Sequence, residues 1–334
     1  MTSMNALVCV EPGNLRLERR SVPTRGKMEV LVRPRMIGIC GTDYHIYEGK
    51  HPYLQYPRVM GHELAVEVVE ADADSGLAPG EIMVVNPYLA CGQCSACRHG
   101  KPNCCKQIQV LGVHRDGGMC ERLVLPVANL ISAPGLSLEA CAAVEFLAIG
   151  AHAVRRSRAS KGERALVVGA GPIGLGAALF ARLRGAQVTI IDTEADRLAA
   201  AAAVLAGTVT LVVDDATGRN LAESFDVVLD ATGNRQSMEA GFGFVDHGGR
   251  YVFVGVVKGD LSFLAPDFHR KEMELLGSRN ATMEDFASVI TAMKRDQIPL
   301  DRIVTHRTTL SDARSDLATW ASNKAGLIKA MIVV

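Results

Sequence analysis

The chain has 334 residues, 48% of them hydrophobic and 22% charged, with lysine and arginine balancing aspartate and glutamate to a net charge of zero. That length suits two domains, and the lack of basic excess argues against nucleic acid or an anionic membrane as partner. No apolar core of signal-peptide length follows a basic start in the first thirty residues and no run approaches a membrane span, so a cytoplasmic location is the default expectation. Nine cysteines are many for such a chain, and five fall between 91 and 105, a clustering that points to metal rather than disulfides.

The first forty residues read as short strands between turns: Ala6–Val10, Leu15–Leu17 and Glu29–Arg33. Their alternation suits a half-exposed antiparallel sheet or barrel. Next come Gly38-Ile-Cys-Gly-Thr-Asp-Tyr-His45 and Gly61-His-Glu63, the latter opening into the strand Ala65–Val69. A cysteine, a histidine and a glutamate beside glycine turns can converge on one Zn²⁺. The bland alternative makes Cys40 a small buried hydrophobe and His62-Glu63 a surface pair.

Cys91-x-x-Cys94-x-x-Cys97, followed by Cys104 and Cys105, is the strongest metal signal in the chain. Four thiolates at short spacing close a tetrahedral site with no position left for substrate, which makes the site structural. A redox dithiol is the competing reading. Cys9, Cys120 and Cys141 lie among apolar or small residues and are read as packing. Leu111-Gly-Val-His-Arg-Asp-Gly-Gly-Met119 is a glycine-marked loop before the strand Glu121–Leu125. A helix begins after Ser137, its N-cap, with Glu139 in the first turn, and a helix continues through Gly150 toward the next domain.

Ala165-Leu-Val-Val-Gly-Ala-Gly-Pro-Ile-Gly174 is the segment around which the rest is arranged. A buried strand runs into Gly169-x-Gly171-x-x-Gly174 and then a helix. Gly169 permits the tight turn, Gly171 lets a pyrophosphate approach the backbone, and Gly174 lets helix and strand pack closely. Pro172 and Ile173 open the helix, whose N-terminus offers free N–H groups to the phosphates. A second strand, Val188–Ile191, ends in Asp192, 23 residues after Gly169, where a dinucleotide fold places the carboxylate for the adenosine ribose. That carboxylate repels the 2′-phosphate of NADP, so NAD is the expected cofactor. Arg197 lies five residues on, over the adenine or facing solvent.

Further strands are expected at 209–213, 226–230 and 251–254, between helices rich in alanine and leucine, as a parallel doubly wound sheet requires. Ala231 and Thr232 end one strand beside a ribose, and Val254 ends the next beside the nicotinamide. Both are also readable as plain turns. Residues 149–278 are thus the expected nucleotide domain, with 1–148 and 279–334 forming the other.

The glycine-flanked Cys40 and His62 segments together with the Gly169 turn resemble the zinc-dependent medium-chain dehydrogenases, and within them the sorbitol and threonine dehydrogenase branch. The resemblance runs nearly end to end. It implies a Rossmann α/β domain beside a mostly-β GroES-like catalytic domain, and a dimer or tetramer of the chain. It further implies a catalytic zinc on Cys40 and His62, with Glu63 as ligand or close neighbour and Glu145 as a further carboxylate. Glu145 stands in Ala143-Val-Glu-Phe-Leu147, where Phe146 replaces the family's proline. The family spacing selects Cys105 over Cys104 for the second zinc.

Thr42 and His45 match a hydroxyl–ribose–histidine proton relay. His114 and Arg115 match a loop at the substrate mouth, although a solvated turn reads equally well. Arg279 matches a substrate arginine whose amide touches the cofactor, with Asn280 where polyol dehydrogenases carry an aromatic residue.

The expected chemistry is hydride transfer from a secondary alcohol to NAD⁺, zinc acting as Lewis acid. The segment 108–125 most resembles galactonate-type sugar-acid members, which favours a polyol or aldonate as the small-molecule substrate. L-Threonine 3-dehydrogenase activity is the alternative among enzymes. A non-catalytic nucleotide-binding or structural protein is the alternative outside them, and loss of a zinc ligand would be its mark.

Overall fold

The computed structural model describes residues 3–51 and 54–334. The chain divides into two compact units: one takes it up to Glu145 and again from Ile290 to Val334, the other comprises Phe146–Val289. No helix among the described residues is long and apolar enough to cross a membrane.

The first unit is mostly β. Its main sheet runs Leu130–Ser132, Ile82–Val85, Glu63–Glu70, Glu29–Ile39, Lys329–Val333 and Val304–Thr309, with Leu123–Pro126 paired to Glu29–Ile39. A three-stranded sheet of Asn14–Ser21, Ser3–Glu11 and Arg58–Val59 lies in the same unit. Inward residues such as Leu7, Val30, Val32, Ile37, Leu64 and Ile332 form its core, following the period-two alternation read from the sequence. Lys329–Val333 is an interior strand, antiparallel to Glu29–Ile39 and parallel to the edge strand Val304–Thr309.

The second unit holds a six-stranded sheet, parallel throughout, in the order Val209–Val212, Gln187–Asp192, Arg164–Val168, Phe225–Asp230, Val245–Phe253, Glu274–Gly277. This is the doubly wound order, which reverses direction at Arg164–Val168, the strand feeding the glycine turn. Apolar runs such as Leu166-Val-Val and Val227-Val-Leu are buried on both faces, as a parallel sheet demands. An aromatic cluster supports one side: Phe242 meets Tyr251 edge-on at 4.9 Å, and Tyr251 meets Phe253 at 4.8 Å.

As expected, the helix that starts after Ser137 continues through Gly150: it is one helix, Leu138–Ser157, and the Ser137 hydroxyl accepts from Ala140 N–H at 3.1 Å. Phe146 lies inside that helix, and its side chain is buried. Residues 279–289, expected with the returning segment, pack in the second unit instead. The buried Asp285 anchors them there, bound by His152 and Arg155 of the same unit.

The glycine turn shows why three glycines are needed. Gly169 has φ of +98°, a conformation that strains any residue with a side chain. A Cβ on Gly174 would lie 1.8 Å from Gly169 O, while one on Gly171 would meet nothing within 4 Å. Gly171 therefore faces open space at the start of the helix Pro172–Leu183. Gly174→Ala is expected to force helix and strand apart. By the usual overpacking penalty of about 1–3 kcal/mol, the melting temperature should fall by roughly 2–4 °C per kcal/mol, measurable by calorimetry.

Candidate functional site

The first unit builds a buried polar pocket from four local devices. Strand Glu29–Ile39 delivers Cys40 to the N-cap of the short helix Gly41–Tyr47. Asp43, three residues on and fully buried, accepts Cys40 N–H at 2.9 Å and Gly61 N–H at 3.2 Å. One carboxylate thus ties the Cys40 loop to the His62 loop. His62 and Glu63 then start the strand Glu63–Glu70, with Glu63 opposite Gly38. A Cβ at Gly38 would sit 2.0 Å from Glu63 Oε2, so only glycine leaves room for that carboxylate.

Cys40, His62 and Glu63 bring their ligand atoms within 4.8 Å of one another. The pocket is short of positive charge. Burial opposes the imidazolium of His62, but the Cys40 sulfur, Asp43 and Glu145 outweigh it and hold the ring's pKa well above the ordinary histidine value. His62 Nδ1 is buried without a hydrogen-bond partner. A thiol, an imidazole and a carboxylate converging in one buried pocket, with a ring nitrogen left unpartnered, suit a divalent cation of zinc's preferences.

Two residues of this pocket escaped the sequence reading. Lys329, from the last strand, places Nζ 2.5 Å from both oxygens of Glu63, with both side chains almost wholly buried. Tyr88 donates its hydroxyl to Glu145. Glu145 is buried and its pKa is raised, first by desolvation, while His62 and Lys329 pull the other way. Its carboxylate lies outside the three-residue ligand group. Thr42 and His45 occupy one face of the helix Gly41–Tyr47. The Thr42 hydroxyl is 3.8 Å from Cys40 Sγ, and His45 is exposed. Desolvation of the ring, helped by Lys324 and Lys50 against Glu48, lowers the His45 pKa below the ordinary histidine value.

The second group of ligands is Cys91, Cys94, Cys97 and Cys105, again within 4.8 Å of one another, while Cys104 is exposed and outside it. Cys94 Sγ is 3.5 Å from Cys97 Sγ and 3.9 Å from Cys105 Sγ. Backbone N–H groups of Cys97 and Lys106 pull the Cys94 thiol down to about 6, whereas desolvation and the neighbouring sulfurs push Cys97 up to about 12. Four sulfurs this close cannot all ionise without a cation, and the donor set fits structural zinc. His114 and Arg115 stand on an exposed turn, where His114 Nδ1 accepts from Val110 N–H at 3.1 Å.

In the second unit, Asp192 is buried at the carboxyl end of its strand. It accepts from Ala170 N–H at 2.7 Å and Glu194 N–H at 2.9 Å, and Arg197 stands 3.8 Å away. The glycine turn and the Asp192 carboxylate are therefore built as one piece. Thr232 is held by Asp230 through its N–H at 2.9 Å and hydroxyl at 2.6 Å, and Val254 N–H bonds Asp230 O at 2.9 Å. Ala231 follows the same strand, its N–H on Val168 O at 2.9 Å. Gly171, the open helix start and these strand ends fit a dinucleotide. Arg279 is exposed, and Asn280 has φ of +53°, a left-handed conformation asparagine adopts far more readily than an aromatic residue.

Comparison with known proteins agrees with this geometry. Residues 26–135 match the alcohol dehydrogenase GroES-like domain, and residues 172–295 match the zinc-binding dehydrogenase family. The chain is 43% identical to L-galactonate-5-dehydrogenase of Escherichia coli, over 99% of each chain. Among solved structures, it matches a zinc-binding dehydrogenase from Sinorhizobium meliloti bound to NADP, with a TM-score of 0.90, 28% identity and full coverage of both chains. It also matches an alcohol dehydrogenase from E. coli CFT073 complexed with NADH, with a TM-score of 0.93, 26% identity and full coverage of both chains.

Removing the cation from a buried pair while its partner stays behind destabilises a protein by about 3–5 kcal/mol. Lys329→Met should therefore lower the melting temperature of metal-stripped protein by ~10 °C. Added zinc should restore more of that loss than it gives the wild type, because Glu63 then has a second cation to face. Equal zinc-dependent shifts in the two proteins would disprove this coupling.

Proposed function

The chain belongs to the zinc-binding medium-chain alcohol dehydrogenase family, and from that premise we propose that it oxidises a secondary hydroxyl of a galactonate-type sugar acid to the ketone, with NAD⁺ as hydride acceptor. The observation that carries this reading is the convergence of Cys40, His62 and Glu63 in a buried, negatively biased pocket of a chain that also carries a dinucleotide turn. The 43% identity to a sugar-acid dehydrogenase supports the substrate class.

When bound, zinc supplies a Lewis acid that lowers the pKa of a substrate hydroxyl, and the nicotinamide supplies the hydride acceptor. Cys40 and His62 hold the metal, and Glu63 faces it with its charge partly answered by Lys329. Asp43 keeps the two ligand loops in register. Glu145, held by Tyr88, adds negative charge at the edge of the pocket rather than a ligand atom. Thr42, beside the Cys40 sulfur, would take the substrate hydroxyl proton at Oγ1 while giving up its own hydroxyl proton to the cofactor ribose. His45, exposed and neutral near pH 7, would accept the proton that the ribose gives up and release it to water. Cys91, Cys94, Cys97 and Cys105 hold a second zinc whose role is to close their loop.

In the other unit, Gly169, Gly171 and Gly174 with the N-terminus of the Pro172 helix cradle the pyrophosphate. Asp192, its carboxylate oriented by two backbone N–H groups, accepts the ribose hydroxyls and repels a 2′-phosphate, which favours NAD over NADP. Arg279 offers the planar cation that a substrate carboxylate prefers.

The test is NAD⁺ reduction with L-galactonate, other aldonates, neutral hexitols and L-threonine, on wild type and Cys40→Ser, with zinc assayed in both. Turnover on the sugar acid, reduced about a thousandfold or more in Cys40→Ser together with one zinc per chain, is expected. Full activity in Cys40→Ser would refute the zinc assignment, and turnover confined to L-threonine would refute the substrate class.

The proton route is checked by pH. The lowered pKa keeps His45 neutral until the pH falls below 6.5, so kcat/KM should decline only below that value. In His45→Gln that decline should shift or vanish while zinc content stays unchanged.

A further inference from the structure

Asp285 receives more hydrogen bonds than a helix start requires. It lies in the first turn of the helix Met283–Lys294 and is 1% exposed. Thr282 donates to its Oδ2 from both N–H and hydroxyl, each at 2.8 Å, and this alone completes a cap. Further donors arrive from the helix Leu138–Ser157. His152 Nδ1 stands 2.8 Å from Oδ2. Arg155 spans both oxygens, with Nε 2.7 Å from Oδ1 and Nη2 3.0 Å from Oδ2, and also reaches the Thr282 hydroxyl at 2.9 Å. Burial would raise this carboxyl, but the donors win and hold it well below the usual carboxylate range.

The other end of the same segment is fixed as well. Ser278 N–H bonds Phe253 O at 2.8 Å, Arg158 pairs with Glu274 at 2.5 Å, and Arg156 Nε lies 3.4 Å from Gly277 O. Between the two anchors lie only Arg279, exposed, and Asn280 in its left-handed conformation, before the buried Ala281. An arginine on a loose loop loses much freedom when it grips a planar carboxylate. A backbone fixed at both ends removes part of that loss in advance.

We propose that Asp285, clamped by His152 and Arg155, is the positioning residue for Arg279, fixing the turn from which that guanidinium meets the substrate carboxylate. The inference rests on Arg279 being the carboxylate's partner, as read above. It makes the His152–Arg155–Asp285 cluster part of substrate selection although none of the three touches the substrate.

The experiment is a double-mutant cycle on zinc-loaded enzyme with L-galactonate and NAD⁺, using Asp285→Asn, Arg279→Ala and the pair, with melting temperatures recorded alongside. Asp285→Asn should raise KM for the sugar acid about tenfold while kcat and KM for NAD⁺ stay within about twofold. In the Arg279→Ala background it should add almost nothing. If Asp285→Asn does not fold, His152→Ala, which removes a single donor, carries the same comparison. An effect of Asp285→Asn that persists undiminished without Arg279, or that falls equally on KM for NAD⁺, would show a helix cap only and overturn the inference. An Arg279→Ala enzyme with unchanged KM for the sugar acid would instead refute the role of Arg279, and the inference with it.

Discussion

A carboxylate sealed inside a protein must have a cation, and the pocket of the first unit is arranged around that requirement at Glu63. Lys329 meets both of its oxygens, and three adjacent strands are locked in register by the meeting. Gly38 gives up its side chain so that the carboxylate fits between them. Cys40 leaves that strand two residues later, and Asp43 then ties its loop to the one carrying His62. Cys40, His62 and Glu63 are therefore not three independent side chains. They are the visible part of a charge arrangement that includes a lysine and two further acids.

The sequence made some of this legible and hid the rest, for a physical reason. The glycine turn and the four cysteines act over a few residues of chain, so their spacing carries their geometry. Asp43 lies in the quoted Cys40 motif, yet its role passed unnoticed; the signal was its place at the third helical position after an N-cap, where a carboxylate reaches back to the cap. Tyr88 and Lys329 act across 57 and 266 residues, distances over which no local pattern operates. A hint existed for Lys329. It is a lone charge in the run Leu-Ile-Lys-Ala-Met-Ile-Val, and a lysine in a buried strand must have a partner. The placement of residues 279–289 was hidden likewise, since it depends on Asp285 finding His152 and Arg155.

The second unit solves a different problem with backbone rather than charge. Its glycine turn leaves open space at Gly171, and the Asp192 carboxylate is aimed by a hydrogen bond from that turn. Such a site tolerates much variation in the surrounding helices while the turn is kept.

The placement of Lys329–Val333 between Glu29–Ile39 and Val304–Thr309 also bears on how the protein is made. During synthesis, the segment through Glu145 leaves the ribosome with Glu63 in place but without the strand that neutralises it. The dinucleotide unit, continuous in sequence from Phe146 to Val289, is complete well before. The middle of the chain can therefore close before the two segments that flank it meet, and Glu63 gains its cation only when Lys329 arrives. A ribosome stalled just short of Lys329 would hold a folded nucleotide domain joined to a β unit whose strand Glu29–Ile39 lacks one of its neighbours.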